Sequence, residues 1–365
     1  GGRRMIARVI RKLSNTLYDH PQVPPAAALD GPFKHLKMAL VTDYFTTDCL
    51  SVECQIKCLT RQNYRDVIRN WKPDLVFVES AFHGVGGNWR YELARQPKWL
   101  RWGPPKAIFD LLAFARSSGV PTVFWNKDDG AFFEHFIEVA KAVDHVFTTD
   151  IACIERYRQH LPPGVSANVM MMPYQPRFHF FFFFNFTHHH ACFTGSYYRH
   201  LLSERPRFLD MVFDAGRQAG MRVNVFDRNH DRFSRHFEFR YPNNDHMVVH
   251  PRVTHRKTAD VYKKYALSLN VNSVTESETM CSRRLLEILA CGGIAVTNPS
   301  RAVDHHFRDY CAIVSSHEEA LALFSRFKHG PSKSDLERAE AGAAYVRRHH
   351  TWAHRLEALC AVVNV

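Results

Sequence analysis

The chain has 365 residues, more than one hydrophobic core usually supports, so its length predicts two domains. The formal net charge of +12 favours an anionic partner, such as nucleic acid, an anionic membrane surface or a phosphorylated substrate. Nine Cys residues lie scattered without a C-x-x-C pair, which favours a reducing compartment over a disulfide framework. No run reaches the ~20 apolar residues of a membrane-spanning helix. We therefore expect a cytoplasmic protein that can also sit peripherally at the inner face of a membrane.

The first 35 residues predict a basic helix followed by a linker. Residues 1–13 combine five basic residues with apolar residues at helical spacing, as in helices that lie on an anionic membrane. An ordinary docking helix has the same pattern. Residues 20–35 are rich in Pro and Ala and predict a linker.

From residue 36 to residue 172 the pattern alternates between buried strands and helices, which predicts a doubly wound α/β domain. Strands are expected at 36–42, 54–59, 74–78, 120–125 and 145–148, with helices at 62–71, 105–118, 131–143 and 152–160. Asp43, Glu79 and Asp128 follow strand ends, where ligands of such domains gather. His83 begins a Gly-rich loop shortly after Glu79.

Residues 173–190 are expected to link this domain to a second one at 191–340, which closing helices at 341–365 follow. The run FHFFFFFNFTHHH, from Phe178 to His190, falls in that linker, although an interdomain connection should be polar. Consecutive Phe residues are an aggregation hazard unless they are buried. The three consecutive His residues do not give one tetrahedral metal site.

The second domain is expected to open with a strand at 191–194 and a Gly195-Ser196 turn, where Gly permits close main-chain approach to a phosphate. A helix at 203–219 and a strand at 221–226 precede Arg228 and Asn229. A short strand at 247–250 then precedes a loop at 251–254, which contains Arg252.

Residues 266–298 predict a strand, a polar loop, a helix and a second strand. The apolar run at 266–271 is too short for a helix, and the polar stretch at 272–279 follows it. Apolar residues then recur at helical spacing over 285–290, and the Gly292-Gly293 pair ends that helix before a strand at 294–296. Such a unit builds a parallel sheet covered by helices.

The start of this helix suggests a bound phosphate. Ser282 can cap the helix, and Arg283 and Arg284 fall in its first turn, where a cation opposes the helix dipole unless an anion is also there. Glu287, one turn further on, could accept hydroxyls from a sugar or ribose. An Arg283–Glu287 salt bridge on a solvated face is the alternative interpretation.

The segment NVNSVTESETMCSRRLLEILACGG resembles the nucleotide-sugar-binding segment of GT-B glycosyltransferases, most closely the group similar to the spore-maturation protein CgeB. The stretches TDYF, VESAFHGVGGNWRY and FWNKDDG resemble the amino-terminal domain of the same group. The resemblance implies an α/β fold of two Rossmann-like doubly wound domains facing across a cleft, with the donor in the second domain and the acceptor in the first. In the wider retaining families a Glu lies eight residues before the position of Glu287, where this chain has Thr279, so the stereochemical outcome stays open.

The resemblance also implies roles for the residues singled out above. Arg283 and Arg284 would neutralise the diphosphate leaving group in place of a metal ion, so no cofactor and no metal are expected. Glu79 and His83 are selected as catalytic because they flank the Gly-rich loop, although they could instead shape that loop by hydrogen bonding. The donor pocket is expected to contain Gly195, Ser196, Arg228, Asn229, Arg252, Asn272, Ser273, Thr279, Ser282, Arg283, Arg284 and Glu287.

We therefore expect a metal-independent glycosyltransferase with a nucleotide-sugar donor and a glycan or lipid-linked acceptor, and a bacterial surface polysaccharide is favoured. A non-hydrolysing nucleotide-sugar epimerase of the same fold and a catalytically inactive scaffold module are the alternatives. Nucleic acid is not expected as a partner, because the basic residues are dispersed and lack aromatic–basic signatures.

Overall fold

The computed structural model describes residues 28–95, 106–200, 202–232 and 236–365. They form two compact units. The first comprises the described residues up to Met170 together with Trp352–Val365, and the second comprises Met171–Thr351. The basic helix predicted at 1–13, and residues 20–27 of the predicted linker, lie outside the described residues.

A parallel sheet of six strands forms the centre of the first unit. In chain order the strands are β1 (Lys37–Val41), β2 (Gln55–Cys58), β3 (Leu75–Glu79), β4 (Thr122–Asn126), β5 (His145–Thr148) and β6 (Ser166–Val169). The spatial order is β2-β1-β3-β4-β5-β6. The helices are α1 (Tyr44–Leu50), α2 (Tyr64–Asp66), α3 (Ala107–Ser117), α4 (Phe133–Ala140) and α5 (Cys153–His160).

The central strands of this sheet are buried on both faces. All five residues of β3 and all five of β4 are buried, as a parallel sheet with helices on both sides requires. Helix α3 contributes Ile108, Leu111 and Leu112 to the core between helix and sheet. Apolar burial on this scale is the main stabilising contribution to such a unit.

The second unit is built around another parallel sheet of six strands. These are β7 (His188–Gly195), β8 (Val223–Asp227), β9 (Met247–His250), β10 (Tyr265–Leu269), β11 (Ile294–Thr297) and β12 (Cys311–Ile313). The helices are α6 (Glu204–Ala219), α7 (Thr258–Lys264), α8 (Arg283–Ala290), α9 (Arg301–His306), α10 (His317–Phe327) and α11 (Lys333–His349). A final helix, α12 (Trp352–Val363), belongs to the first unit.

Each sheet contains one point where the direction of strand addition reverses. In the second sheet the order is β12-β11-β10-β7-β8-β9, so the reversal lies between β7 and β10. In the first sheet it lies between β1 and β3. Crevices outside the carboxyl ends of strands at such a reversal are where open α/β sheets bind ligands.

The predicted α/β class and the doubly wound sheets are confirmed, whereas several element bounds differ. Strand β7 begins at His188 rather than at 191, because its pairing with β10 extends back to the His188–Tyr265 register position. Strand β6 was not predicted, because its sequence SANV has no apolar run. The helix expected at 62–71 is α2 followed by a π-helical turn over Val67–Trp71, which ends where Lys72 takes a left-handed φ of 51°.

All nine Cys residues are free thiols, and seven of them are buried. Within the described part of the chain, no helix is long and apolar enough to cross a lipid bilayer.

Candidate functional site

The reversal between β7 and β10 brings together three separate stretches of the second unit. Gly195 ends β7 and Ser196 follows it, while Ser273 lies in the loop after β10. That loop leads into α8, which begins at Arg283. The fold therefore gathers residues near 195, 272 and 283 at one end of the sheet.

Residue 195 must be a glycine because the guanidinium of Arg284 lies close to the main chain there. A Cβ built on Gly195 would lie 2.6 Å from Nη2 of Arg284 and 2.9 Å from Cζ of Phe193. Any larger residue would have to displace the guanidinium or the ring. The carbonyl of Gly195 accepts hydrogen bonds from the hydroxyl of Tyr241 (2.9 Å) and the main-chain N–H of Arg228 (3.0 Å).

Arg284 is fixed at the end of β7, and no described carboxylate pairs with it. Its Nε donates to the main-chain oxygen of Thr194 at 2.6 Å, and its guanidinium lies 4.7 Å from the ring centre of Phe193. The Nη1 atom is buried and has no hydrogen-bond partner among the described residues. Burial lowers the pKa of Arg284, but a guanidinium stays charged in proteins, so a positive charge with an unused donor is held here.

Arg205 is a second guanidinium at the same place, itself buried, and it is not among the residues predicted from the sequence. Its Nε and Nη2 donate to the main-chain oxygen of Ser196 at 3.3 and 3.0 Å, and Nη1 lies 3.5 Å from Oγ of Ser273. Burial, and then the positive charge of Arg284, lower the pKa of Arg205 to about 10. The sequence signal that could have identified Arg205 is its place in the first turn of α6, because a cation is unfavourable at a helix start.

Of three further residues predicted for this pocket, Asn229 and Arg228 lie near Arg205 and Arg284, whereas Arg252 is paired elsewhere. Asn229 lies beside the Arg205–Arg284 pair, since its Nδ2 donates to Oγ of Ser196 at 2.8 Å. Arg228, which is exposed, lies close enough for its charge also to lower the pKa of Arg205. Arg252 instead forms an ion pair with Asp231, at 3.1 Å from its Nε.

Asn272, in the loop after β10, is hydrogen-bonded both to the residue that follows β11 and to the residue that precedes α8. Its main-chain N–H donates to Oδ1 of Asn298 at 2.8 Å, and its own Oδ1 accepts from the main-chain N–H of Ser282 at 2.8 Å. Ser282 stands at the N-cap position of α8, as predicted, but its side chain makes no capping hydrogen bond. Thr279 lies in the same loop, where its main-chain N–H donates to Oγ of Ser277 at 3.3 Å.

Glu287 lies buried between two basic residues. Its Oε1 accepts from Nε2 of His255 at 2.7 Å and lies 2.9 Å from Nε of Arg283. Burial alone would raise the pKa of Glu287, but Arg283 and His255 hold it well below the usual range. The Arg283–Glu287 pair is thus present, but its carboxylate is only 5% exposed, so the pair does not lie on a solvated face.

Glu287 and His255 also form, with His179, a group that could hold a metal ion, since one ligand atom from each lies within 4.8 Å of the others. Burial lowers the pKa of His179 to about 3, so this imidazole is neutral and competent as a ligand. Arg283 contacts the same carboxylate, however, and a divalent cation would have to compete with that guanidinium. In this structure Glu287 is hydrogen-bonded to His255 and ion-paired with Arg283, and Nε2 of His179 lies 2.9 Å from Oγ1 of Thr258.

The reversal in the first sheet gathers a separate set of charged residues. Glu79, at the end of β3, is fully buried and accepts hydrogen bonds from the main-chain N–H of Asp43 and from Oγ1 of Thr46. The Nζ of Lys127 pairs with Asp43 and lies 3.2 Å from Oε1 of Glu79. Burial, and then the charge of Asp43, raise the pKa of Glu79 to about 8.

His83 is half-buried in the loop that follows β3. Its carbonyl accepts the main-chain N–H of Trp89 at 3.0 Å, and Gly84 between them has a left-handed φ of 67°. A Cβ on Gly84 would lie 3.0 Å from the Trp89 side chain, so this loop is tightly folded. Asp128 accepts from Oγ of Ser80 at 2.8 Å.

Comparison with known proteins identifies the class of this fold. Residues 205–361 match the model of a family described as glycosyl transferase-like. No protein of curated function matches the chain by sequence.

Three solved structures illustrate the likeness in fold. An alpha-glucosyltransferase in complex with UDP and a 13-mer DNA containing a HMU base has a TM-score of 0.62 and 10% identity, over 90% of this chain and 100% of that one. The HepE protein of Anabaena, in complex with UDP and glucose, has a TM-score of 0.53 and 11% identity, over 90% and 100%. An alpha,alpha-trehalose 6-phosphate synthase from Burkholderia multivorans has a TM-score of 0.51 and 10% identity, over 82% and 74%.

The chain therefore has the GT-B fold, as predicted. The narrower likeness to the CgeB-like group stays a prediction.

Proposed function

We propose that this protein is a glycosyltransferase that moves a sugar from a nucleotide-sugar donor to an acceptor hydroxyl. The observation that carries the proposal is the pair of guanidinium groups at the reversal of the second sheet, Arg205, which is buried, and Arg284, which is half-buried with a buried Nη1. Neither has a carboxylate partner among the described residues. Two such charges repel each other and are costly to desolvate, and the diphosphate of a nucleotide sugar would offset both costs.

The donor pocket follows from this placement of the diphosphate. Arg284 and Arg205 bind the phosphates, and Gly195 lets the main chain approach them. Glu287, held ionised by Arg283 and His255, accepts hydroxyls of the ribose or sugar. The wider pocket comprises Ser196, Arg228, Asn229, Arg252, Asn272, Ser273, Thr279 and Ser282. We favour a UDP-sugar, because UDP is bound in two of the solved structures of similar fold.

In the transfer, the bond between the anomeric carbon and the diphosphate oxygen breaks while a bond to the acceptor oxygen forms. Negative charge grows on the leaving diphosphate as its bond breaks. Guanidinium groups already fixed there stabilise that charge more in the transition state than in the ground state. For this reason we propose that no metal ion is required, since Arg205 and Arg284 supply the positive charge.

The acceptor hydroxyl loses its proton when the new bond forms, and we assign that proton to Glu79 or His83 if the configuration inverts. A base is most effective when its pKa lies near the working pH, and the raised pKa of Glu79 meets that condition. Its hydrogen bonds to Asp43 and Thr46 support the alternative, in which Glu79 shapes the loop after β1. A glycan or lipid-linked acceptor, made in the cytoplasm for a bacterial surface polysaccharide, is the acceptor class we favour.

Calorimetric titration of the full chain with UDP-, GDP-, CDP- and dTDP-sugars in EDTA tests the proposal. One nucleotide class should bind, and Arg284→Ala should weaken that binding by roughly ten- to a hundredfold, the effect of losing a charge-assisted hydrogen bond. Arg207→Ala is the matched control, because that side chain is 82% exposed in the same helix as Arg205. Failure of every nucleotide sugar to bind, or unchanged affinity in Arg284→Ala, would refute the donor site.

The same preparations separate the alternative functions. Interconversion of the bound donor without any acceptor would identify an epimerase, and binding without turnover on any acceptor would identify a scaffold module. Activity assays on glycan, lipid-linked and DNA acceptors then identify the acceptor class. DNA is included because one solved structure of similar fold contains DNA.

A further inference from the structure

Residues 178–187, here called the aromatic loop, expose a cluster of phenyl rings next to β7. The exposed fractions are 82% for Phe182, 67% for Phe183 and 44% for Phe180. The ring centres of Phe180 and Phe182 lie 6.4 Å apart, so these two rings adjoin, and Phe183 follows them directly in the chain. Soluble proteins expose isolated apolar side chains freely, but a contiguous group of large ones marks a contact surface.

Other phenyl rings of the aromatic loop face inward and hold it in place. Phe181 packs against Gly292, where a Cβ would overlap the ring, and its ring centre lies 4.7 Å from that of Phe184. Phe184 and Phe186 pack on the core of the second unit. The main-chain N–H of Thr187 donates to the oxygen of Lys264 at 2.9 Å. The outward rings are thus carried on an anchored support, which reduces the entropy lost when they bind.

Cationic side chains lie against two rings of the aromatic loop, the exposed Phe180 and the buried Phe178. The Nζ of Lys263 lies 3.7 Å from the ring centre of Phe180, and the guanidinium of Arg256 lies 4.1 Å from that of Phe178. Arg256 is exposed, as are Lys257 and Lys264 at the two ends of α7, whereas Lys263 is half-buried. The stretch from 256 to 264 carries one acidic residue, Asp260, against these four cations, so it is positively charged.

We propose that the aromatic loop and the cations of α7 bind the surface of a bilayer that contains anionic phospholipid. Phe182 and Phe183 enter the boundary between headgroups and acyl chains, while Lys263 and its neighbours pair with lipid phosphates. The exposed rings offer only about 300 Å² of apolar area, well below the ~800 Å² that each partner of a stable protein complex contributes. Binding to a bilayer does not require an interface of that size, because each inserted ring and each cation paired with a lipid phosphate adds its own contribution to the binding free energy.

This inference does not rest on the proposed transferase activity, because it uses none of the residues assigned to the donor. It also names a surface separate from residues 1–13, for which the sequence predicts a membrane-binding helix. If both proposals hold, the aromatic loop would keep the enzyme at the surface that carries a lipid-linked acceptor.

Sedimentation of the full chain with vesicles tests the inference, using phosphatidylcholine alone and phosphatidylcholine with roughly one third phosphatidylglycerol. The wild type should bind the anionic vesicles, and the double variant Phe182→Ser/Phe183→Ser should bind them at least about tenfold more weakly. The variant Lys263→Gln/Lys264→Gln should lose the preference for the anionic vesicles. Phe237→Ser is the matched control, because Phe237 is 62% exposed outside the aromatic loop, and it should bind as the wild type does.

Thermal unfolding verifies that each variant is folded, and Ile6→Ser/Ile10→Ser separates the contribution of residues 1–13. Equal binding by the wild type and the Phe182/Phe183 variant, with loss only in Ile6→Ser/Ile10→Ser, would overturn the inference. The inference would also be overturned if the wild type bound neither kind of vesicle. It would be overturned as well if light scattering showed a dimer of the wild type that only the Phe182→Ser/Phe183→Ser substitutions dissociate. That last result would assign the rings to a second copy of the chain.

Discussion

The Nε of Arg284 donates to the main-chain oxygen of Thr194 at 2.6 Å, which joins the first turn of α8 to the end of β7. The two elements lie on opposite sides of the strand reversal, so this hydrogen bond spans the place where the fold binds ligands. Gly195 leaves the space that the guanidinium occupies. The arginine is therefore fixed before a ligand arrives, which lowers the cost of ordering it on binding.

Arg205→Met should separate ligand binding from stability. The substitution removes the buried member of two neighbouring positive charges, so we expect the unfolding free energy of the ligand-free protein to change by less than about 1 kcal/mol. Donor affinity should nevertheless fall about tenfold or more, because a charged partner of the diphosphate is lost. Thermal unfolding with and without the nucleotide sugar measures both effects. A large loss of stability with unchanged affinity would show that Arg205 only holds Ser196.

Gly195→Ala should reduce donor binding as strongly as the loss of Arg284. The added methyl group would lie 2.6 Å from Nη2 of Arg284, so the guanidinium must move away from the end of β7. Gly31→Ala provides the control, because its Cβ would meet nothing closer than 3.9 Å. Calorimetry with the nucleotide sugar gives the comparison, and full affinity in Gly195→Ala would mean that the position of the guanidinium is not critical.

Lys127→Met, measured at about pH 9 so that Glu79 is ionised, should destabilise the first unit by about 3 kcal/mol, since it leaves the carboxylates of Asp43 and Glu79 without their cation. Adding Glu79→Gln to this variant should restore part of the loss, because the buried charge is then removed as well. Lys141→Met tests an exposed pair with Glu138 and should cost less than about 0.5 kcal/mol. Denaturant unfolding measures all three, and equal effects of the two lysine substitutions would contradict the role of Lys127.

Glu79 should make stability fall as the pH rises from about 4.5 to about 8. Its pKa in the folded protein is raised to about 8 by burial and by Asp43, whereas the ordinary value is 4.5. The folded protein therefore keeps a proton that the unfolded chain releases, and the stabilisation present at low pH is lost as the pH passes through this range. The slope for one proton is at most about 1.4 kcal/mol per pH unit. Glu79→Gln should flatten it, and identical slopes would show that Lys127 already keeps Glu79 ionised.

The sequence predicted several of the residues that the structure gathers at the end of β7, because each signal lay within a few residues. Gly195 directly follows an apolar strand, and Arg284 stands in the first turn of an amphipathic helix. Strand ends, glycine turns and charges at helix starts have local physical meanings that need no knowledge of distant neighbours. The same reasoning failed for Ser282, whose main chain is held by Asn272 from the preceding loop.

What the sequence by itself determined about this protein is the alternation of strands and helices, and thus the α/β class and the residues found at strand ends. Only the tertiary structure decided which strand ends meet, because Arg205 comes beside Arg284 through the adjacency of β7 and β10 rather than through any spacing in the chain. It also decided which rings of the aromatic loop face the core. Apolar character favours burial for each of them equally, but the core offers contacts to Phe181, Phe184 and Phe186 and leaves Phe182 and Phe183 exposed.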